Sequence, residues 1–291
     1  MTQSIQIVIL GLTLGGVYAL MASGMTLIFG VMGIVNLAHA AFMVMAAFIA
    51  YFAFKGLGID PILSIVITMP AMFLIGIVVY RLLFAASIAD HHRRGPMVLL
   101  TFALALVIEG GLGYAFSNIY RSTTPPYAAE AILIGPYYLP EAQFYAMLMS
   151  IALLVGLWAF LQYTKLGYAI RATTYNRTAA EVVGVNVDRI SMLVFGIGMA
   201  LAGASGSMLS FVFSFYPSKH WEWVAIMLAL VVLGGMGSLL GALIGALVLS
   251  VVAAFVAAEF GPTWSPVTFY LALFLILLFR PQGLLGKKPE L

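Results

Sequence analysis

Three polar side chains stand in sequence that is otherwise hydrocarbon, and their chemistry sets the first question. Glu109 lies in TFALALVIEGGLGYAF, and Asn36 and His39 lie in GVMGIVNLAHA. A charge at the centre of a bilayer costs about 2.5–3.5 kcal/mol on insertion scales, so such groups line a polar cavity or bond to another helix. For Glu109 a path-lining role, a hydrogen-bonded structural role and an off-centre position all stay open. Asn36 and His39 are three residues apart, the spacing of one helical face. Interhelical hydrogen bonding and solute contact both suit them. Tyr18 follows Gly15 and Gly16; packing is the first expectation for it and a place along a path the second.

A second kind of chemistry is recognition by an exposed, charged segment. Residues 164–189 include LGYAIRATTYNRTAAEVVGVNVDR and carry Lys165, Arg171, Arg177 and Arg189. Thr178-x-x-Glu181 reads as a capping box, with the threonine oxygen taking one free amide and the glutamate reaching back for another. Gly184 sits where a helix can end in the left-handed conformation. Between them Ala179, Ala180, Val182 and Val183 give a helix of one to two turns with a small apolar face. Helices shorter than about 12 residues are marginal in water, so this one requires a partner surface. A soluble protein is preferred; lipid headgroups, met through Arg171 and Arg177, are the other candidate.

Other chemistries find little footing. The chain has no cysteine, which removes disulfides and thiolate metal sites. His39, His91, His92 and His220 lack a metal-ligand spacing, and His91 and His92 beside Arg93 and Arg94 read as a solvated loop. No GxxxxGK[ST] phosphate loop is present, and GGMGS at 234–238 lacks the lysine and the strand context of one. No serine–histidine–acid arrangement stands out, and the methionines read as apolar filling. The expectation is a protein that is not an enzyme and that uses no cofactor, metal or nucleic acid.

The elements that must hold these residues follow from composition. Hydrophobic residues are 64% of 291, charged residues 8%, and the mean hydropathy is +1.11. Soluble domains carry about 25% charge, so the chain belongs in a bilayer. Its apolar runs show none of the alternation of a membrane barrel. At about 20 residues per span they predict an all-α, polytopic transmembrane bundle of about 8–10 spans, a single transmembrane domain over residues 1–291. The expected spans are 4–29, 31–54, 61–84, 96–119, 142–163, 190–213, 223–239, 240–259 and 266–280. Gly30 and Gly33 mark either a turn between two spans or a break in a re-entrant segment. The start, MTQSIQIVIL, lacks the basic region of a secretory signal, so the first apolar run is expected to remain as a span.

Orientation follows from the cations alone. Arg81, Arg93, Arg94, Lys165, Arg171, Arg177, Arg189, Arg280, Lys287 and Lys288 fall on one side of this map, and Lys55, Arg121 and Lys219 on the other. The richer side is expected to be cytoplasmic, with the C-terminus there and the N-terminus outside. The outer loop 120–141 carries Pro125, Pro126, Pro136 and Pro140 with Tyr120, Tyr127, Tyr137 and Tyr138. It reads as a stiff connector with interfacial tyrosines, or as a docking surface for an external binding protein. Glycines four apart (Gly11 and Gly15; Gly237, Gly241 and Gly245) and the stretch GIGMALAGASGS at 196–207 predict close helix contacts. Such stripes serve packing first, and sliding or tilting of helices second.

Taken together, GGVYALMASGMTLIFGVMGIVNLAHAAFM (15–43), LGYAIRATTYNRTAAEVVGVNVDRI (166–190), FGIGMALAGASGSM (195–208), LGGMGSLLGALIGA (233–246) and FRPQGLLG (279–286) resemble the LivH-type permeases of branched-chain amino acid ABC transporters. Ala40 follows His39 where that family usually has glycine. The resemblance implies an inner-membrane bundle that pairs with a second, related permease, two cytoplasmic ATPases and a periplasmic solute-binding protein. Arg171, Asn176, Arg177, Thr178, Glu181 and Gly184 would form or flank the coupling helix, and Tyr18, Asn36, His39 and Glu109 the translocation path. Urea, short amides or aromatic acids are alternative solutes for the same architecture. A secondary transporter driven through Glu109, or a passive channel, is the alternative of another class.

Overall fold

The computed structural model describes residues 2–84, 94–280 and 282–284. His91, His92, Arg93, the side chain of Arg94, and Lys287 and Lys288, on which the solvated-loop and charge-asymmetry readings drew, lie outside the described residues. Hydrocarbon offers the backbone no hydrogen-bond partner, so the apolar runs satisfy their amides internally as helices. In chain order these are α1 (Thr2–Met32), α2 (His39–Leu57), α3 (Ile65–Val79, continued as a wider turn by Tyr80–Phe84) and α4 (Arg94–Phe116). A two-stranded hairpin follows, β1 (Ala131–Ile134) and β2 (Tyr137–Pro140), then α5 (Glu141–Tyr163), α6 (Lys165–Tyr175), α7 (Arg177–Val182) and α8 (Val187–Val212). The chain closes with α9 (His220–Gly234), α10 (Leu239–Phe260) and α11 (Ser265–Phe279). Among the described residues eight helices are long and apolar enough to cross a membrane. The short α9, with 15 residues rising about 22 Å, makes a ninth passage through the bundle.

Contacts at the two ends give the parity. Gln6 near the start of α1 bonds the hairpin twice: its Nε2 donates to Tyr138 O at 2.7 Å and its Oε1 accepts from Tyr138 N at 3.0 Å. At the opposite end Gly30 of α1 faces Thr174 and Gly237, and Leu284 N donates to Leu233 O at 2.7 Å. The chain therefore starts at the hairpin end, and its last described residues lie at the end that carries α6 and α7. Counting α9, this is the odd number of crossings that the sequence requires.

α1, α2, α8 and α9 form the buried centre, while α4, α5 and α11 present mostly exposed apolar faces. The glycine stripes are where helices meet most closely. A methyl group on Gly11 would lie 2.7 Å from Val251 Cα, and one on Gly15 would lie 2.4 Å from Ser250 Oγ, so α1 and α10 touch along the predicted stripe. Gly241 faces the Gly234 carbonyl in the same way, closing the turn between α9 and α10. Polar contacts add to this packing at depth: Thr68 and Ser207 hydroxyls lie 2.8 Å apart between α3 and α8. The 120–141 connector, expected as a stiff link, holds a small hairpin. Tyr127 anchors it by donating to Asp60 Oδ1 at 3.1 Å. Burial, then the Asp60 charge, pushes the Tyr127 phenol far above its usual range, so it stays a donor at every working pH.

Candidate functional site

The residues that could act on a solute gather at the first turn of α9, a place the sequence reading passed over. Glu109, on α4, accepts a hydrogen bond from Trp221 Nε1 at 2.9 Å. His220 Nε2 faces the same carboxylate oxygen at 3.9 Å. The other ring nitrogen, Nδ1, lies 3.0 Å from Pro217 O; a carbonyl only accepts, so Nδ1 carries a proton there. Glu109 thus has a structural partner and remains partly open, with its side chain 22% exposed. It sits two turns, about 10 Å, below the end of α4 at Phe116. Lys219 and Glu222 form an ion pair one step along. The available signal was HWEW itself: two tryptophans alternating with ionisable groups at the start of an apolar run.

Bonds to a charged partner contribute about 1.5–3 kcal/mol, which gives a direct check of the Glu109–Trp221 contact. Trp221→Phe removes the only donor to Glu109 seen among the described residues, and thermal unfolding in detergent should fall by about that amount. Glu109→Gln keeps an acceptor oxygen there and should cost about half as much or less, since a neutral bond contributes about 0.5–1.5 kcal/mol. Equal losses in the two variants would show that the carboxylate charge does not strengthen the contact.

Tyr18 lies on the other side of α9. Its ring meets Trp223, Phe213 and Phe269 at centroid distances of 6.1, 6.1 and 5.5 Å. The packing expected of it is therefore present. It also forms part of the wall of a cavity of about 660 Å³ at the hairpin end, lined by Gln3, Gln6 and Gln143 and by small residues of α10. That volume is typical of a small-molecule site.

Asn36 and His39 are placed differently from the sequence reading, which had them on one helical face. Residues 33–36 are not helical, and α2 begins only at His39. Gly33 at φ +67 ends α1, and the Asn36 carbonyl oxygen Oδ1 accepts from Ala38 N at 3.1 Å, an Asx turn that starts α2. Thr101 of α4 holds the break by accepting from Leu37 N at 3.1 Å. Of the two alternatives for Gly30 and Gly33, the structure has the turn between two spans, α1 and α2, with Ile34, Asn36 and Ala38 of that turn buried in the bundle. Asn36 and His39 are both fully buried, and the His39 ring packs on Gly24, where a methyl group would lie 2.7 Å from it. The structure thus brings Tyr18 and Glu109 to α9 and leaves Asn36 and His39 at a separate interior point.

The segment 164–189 folds as two short helices at the end opposite the hairpin. Thr164 caps α6, its oxygen accepting from Gly167 N at 2.9 Å. The predicted capping box is corrected: Asn176, not Thr178, caps α7, with Oδ1 accepting from Ala179 N at 2.9 Å. Asparagine is the stronger cap, and taking the role two residues earlier places Thr178 inside the first turn. Glu181 is then free of capping and pairs with Arg177, Nε to Oε1 at 3.4 Å. The end falls at Gly184 as expected, with φ +89. Val185 N donates to Ala180 O and Gly184 N to Glu181 O, the paired bonds of a Schellman ending. Ala180 is buried, whereas Val182 and Val183 are 83% and 77% exposed. Arg171 turns back to the bundle, donating to Gln162 Oε1 at 2.7 Å and lying over the Tyr168 ring.

Comparison with known proteins bears on all of this. Residues 7–279 match the family described as branched-chain amino acid transport system / permease component. The chain is 30% identical to the high-affinity branched-chain amino acid transport permease BraD of Pseudomonas aeruginosa, over 96% of this chain and 94% of that one. It is 27% identical to LivH of Escherichia coli over the same shares, and 26% identical to the probable LivH of Methanocaldococcus jannaschii over 92% and 88%. Among solved structures, PsaBC from Streptococcus pneumoniae in complex with Fab superposes with a TM-score of 0.50 at 15% identity, covering 94% of this chain and 91% of that chain; this likeness concerns the fold alone. With the family matched over nearly its whole length and a multi-pass helix bundle to carry it, the chain belongs to the permease component family of the branched-chain amino acid transport systems.

Proposed function

We propose that the chain is one of two related permease subunits of an ATP-driven importer of branched-chain amino acids in the bacterial inner membrane, working with two cytoplasmic ATPases and a periplasmic solute-binding protein. The α6–α7 element carries this reading. It offers exposed Val182 and Val183 and the Arg177–Glu181 pair on a helix too short to be stable alone, which fits a surface made to seat in another protein. Its end of the bundle is then the cytoplasmic side, and the hairpin end faces the binding protein. Arg171, engaged with α5, braces the element, while Asn176 and Gly184 set the ends of α7 and Thr178 lies in its first turn.

A push on α7 has physical routes into the bundle. Thr174 of α6 touches α1 at Gly30, and Asp188 at the start of α8 accepts from Tyr80 Oη at 2.8 Å. Alternating access needs such a two-state element, biased by binding on one side. Tyr18 and Glu109 serve the path from α9. Asn36 and His39, at the break before α2, join it when α1 and α2 part.

The test is uptake into vesicles. The permease alone should accumulate no leucine, and the assembly with both ATPases, the second permease and the binding protein should do so only with ATP. Uptake by the isolated chain would turn the assignment to a secondary carrier or a channel. Uptake of urea or a short amide in place of leucine by the full assembly would keep the architecture and change the solute.

A further inference from the structure

One face of α9 is left open by the helices around it. Trp221, Glu222, Ala225 and Leu228 are half-exposed, and the other residues of the helix are buried, from His220 and Trp223 to Gly234. The spacings of three and four make these residues one stripe. α1, α2, α10 and α11 pack around α9, and α4 reaches it through Trp221, by the Glu109 bond and by Phe102 at a ring distance of 5.4 Å. The stripe therefore faces out between α4 and α11. Its hairpin end is charged, by Lys219, Glu222 and the nearby Glu109. Its inner part, Ala225 and Leu228, is apolar.

The ordinary role of Glu222 is as an acid in the first turn of a helix, paired three residues on from Lys219. That role does not need the surroundings. The Lys219 and Glu222 side chains are 23% and 31% exposed, covered enough for pairing to matter and open enough to exchange partners.

We propose that the Lys219–Glu222 pair, with the Trp221–Ala225–Leu228 stripe below it, is a binding station for a zwitterionic α-amino acid with an apolar side chain. The solute's ammonium takes Glu222, its carboxylate takes Lys219, and its side chain lies along the apolar stripe. An ion pair is well suited to this. Burying a lone charge is costly unless a partner meets it, and a zwitterion replaces one pair by two, leaving no charge unmatched before, during or after passage. The remaining open side of the stripe is where a second permease would close the path. The inference rests on the amino acid importer reading and adds a named site to it.

The experiment uses the complete reconstituted assembly and leucine as the probe. Glu222→Gln and Lys219→Gln should each lower ATP-driven leucine uptake at least about ten-fold, the loss of about 1.4 kcal/mol of recognition, while assembly and ATP hydrolysis persist. Exchanging the pair, Lys219→Glu with Glu222→Lys, should fail to restore uptake, because the solute's orientation is reversed relative to the stripe. Restoration by the exchange would reduce the pair to a structural contact and overturn the proposal. So would unchanged uptake in the single variants, which decide the matter if the exchanged protein does not assemble. Wild-type assembly that accumulates no leucine would instead overturn the importer reading, and this site with it.

Discussion

Arg177→Glu combined with Glu181→Arg should abolish ATP-driven uptake while leaving the bundle inserted and folded. The two residues are paired within α7, Nε to Oε1 at 3.4 Å, and the exchange preserves an opposite-charge i,i+4 pair. It even places the acid nearer the helix N-terminus, the better orientation by a few tenths of a kcal/mol. The Asn176 cap and the Schellman ending at Gly184 involve neither exchanged side chain and are untouched. What changes is the charge pattern shown to a partner beside exposed Val182 and Val183. Like charges brought together across an interface cost several kcal/mol, and each 1.4 kcal/mol is tenfold in affinity, so a loss of about a hundred-fold or more is expected. Uptake in vesicles, with co-purification of the ATPases as the second readout, measures it. Normal uptake by the exchanged protein would remove α7 from the coupling contact.

The difference between legible and illegible features follows the range of the forces involved. The helices could be read because each satisfies its own backbone within hydrocarbon; the ends found for α5, α10 and α11 differ by a residue or so from the expected ones. The close approach at Gly11 and Gly15 could be read because glycines four apart report it regardless of partner, but that the partner is α10 could not. The break at 33–38 was half legible. Gly33 and Asn36 are both residues that stop helices, yet the apolar residues around them suggested continuity, and the stabilising bond comes from Thr101, distant in sequence. The α7 cap went wrong for a local reason: two acceptable caps stand two residues apart, and only the chain direction entering from α6 selects Asn176. The α9 cluster needed the fold itself, since Glu109 and Trp221 are joined across more than a hundred residues. Glu109 was noticed as a charge at depth, but its partner could not be named from sequence.

Gly206→Ala should weaken the protein more than its single carbon suggests. On α8 a methyl group at 206 would lie 2.3 Å from Met43 O and 2.6 Å from Ala46 Cβ, so α2 and α8 would have to separate. Overpacking of this kind costs about 1–3 kcal/mol, and it opposes the gain of about 0.5–1 kcal/mol that alanine normally gives over glycine within a helix. Gly111→Ala on α4, where nothing lies within 4 Å, isolates that gain and should leave stability unchanged or higher. Thermal unfolding of the two variants in the same detergent separates the terms. Gly206→Leu should fail to yield folded protein at all, because the added volume has no direction free of α2. Uptake then distinguishes what the small-residue stretch is for. If Gly206→Ala loses stability and uptake in proportion, the stripe serves packing. If stability holds while uptake collapses, the contact of α2 with α8 must slide during the transport cycle, and the glycine is there to leave a smooth surface.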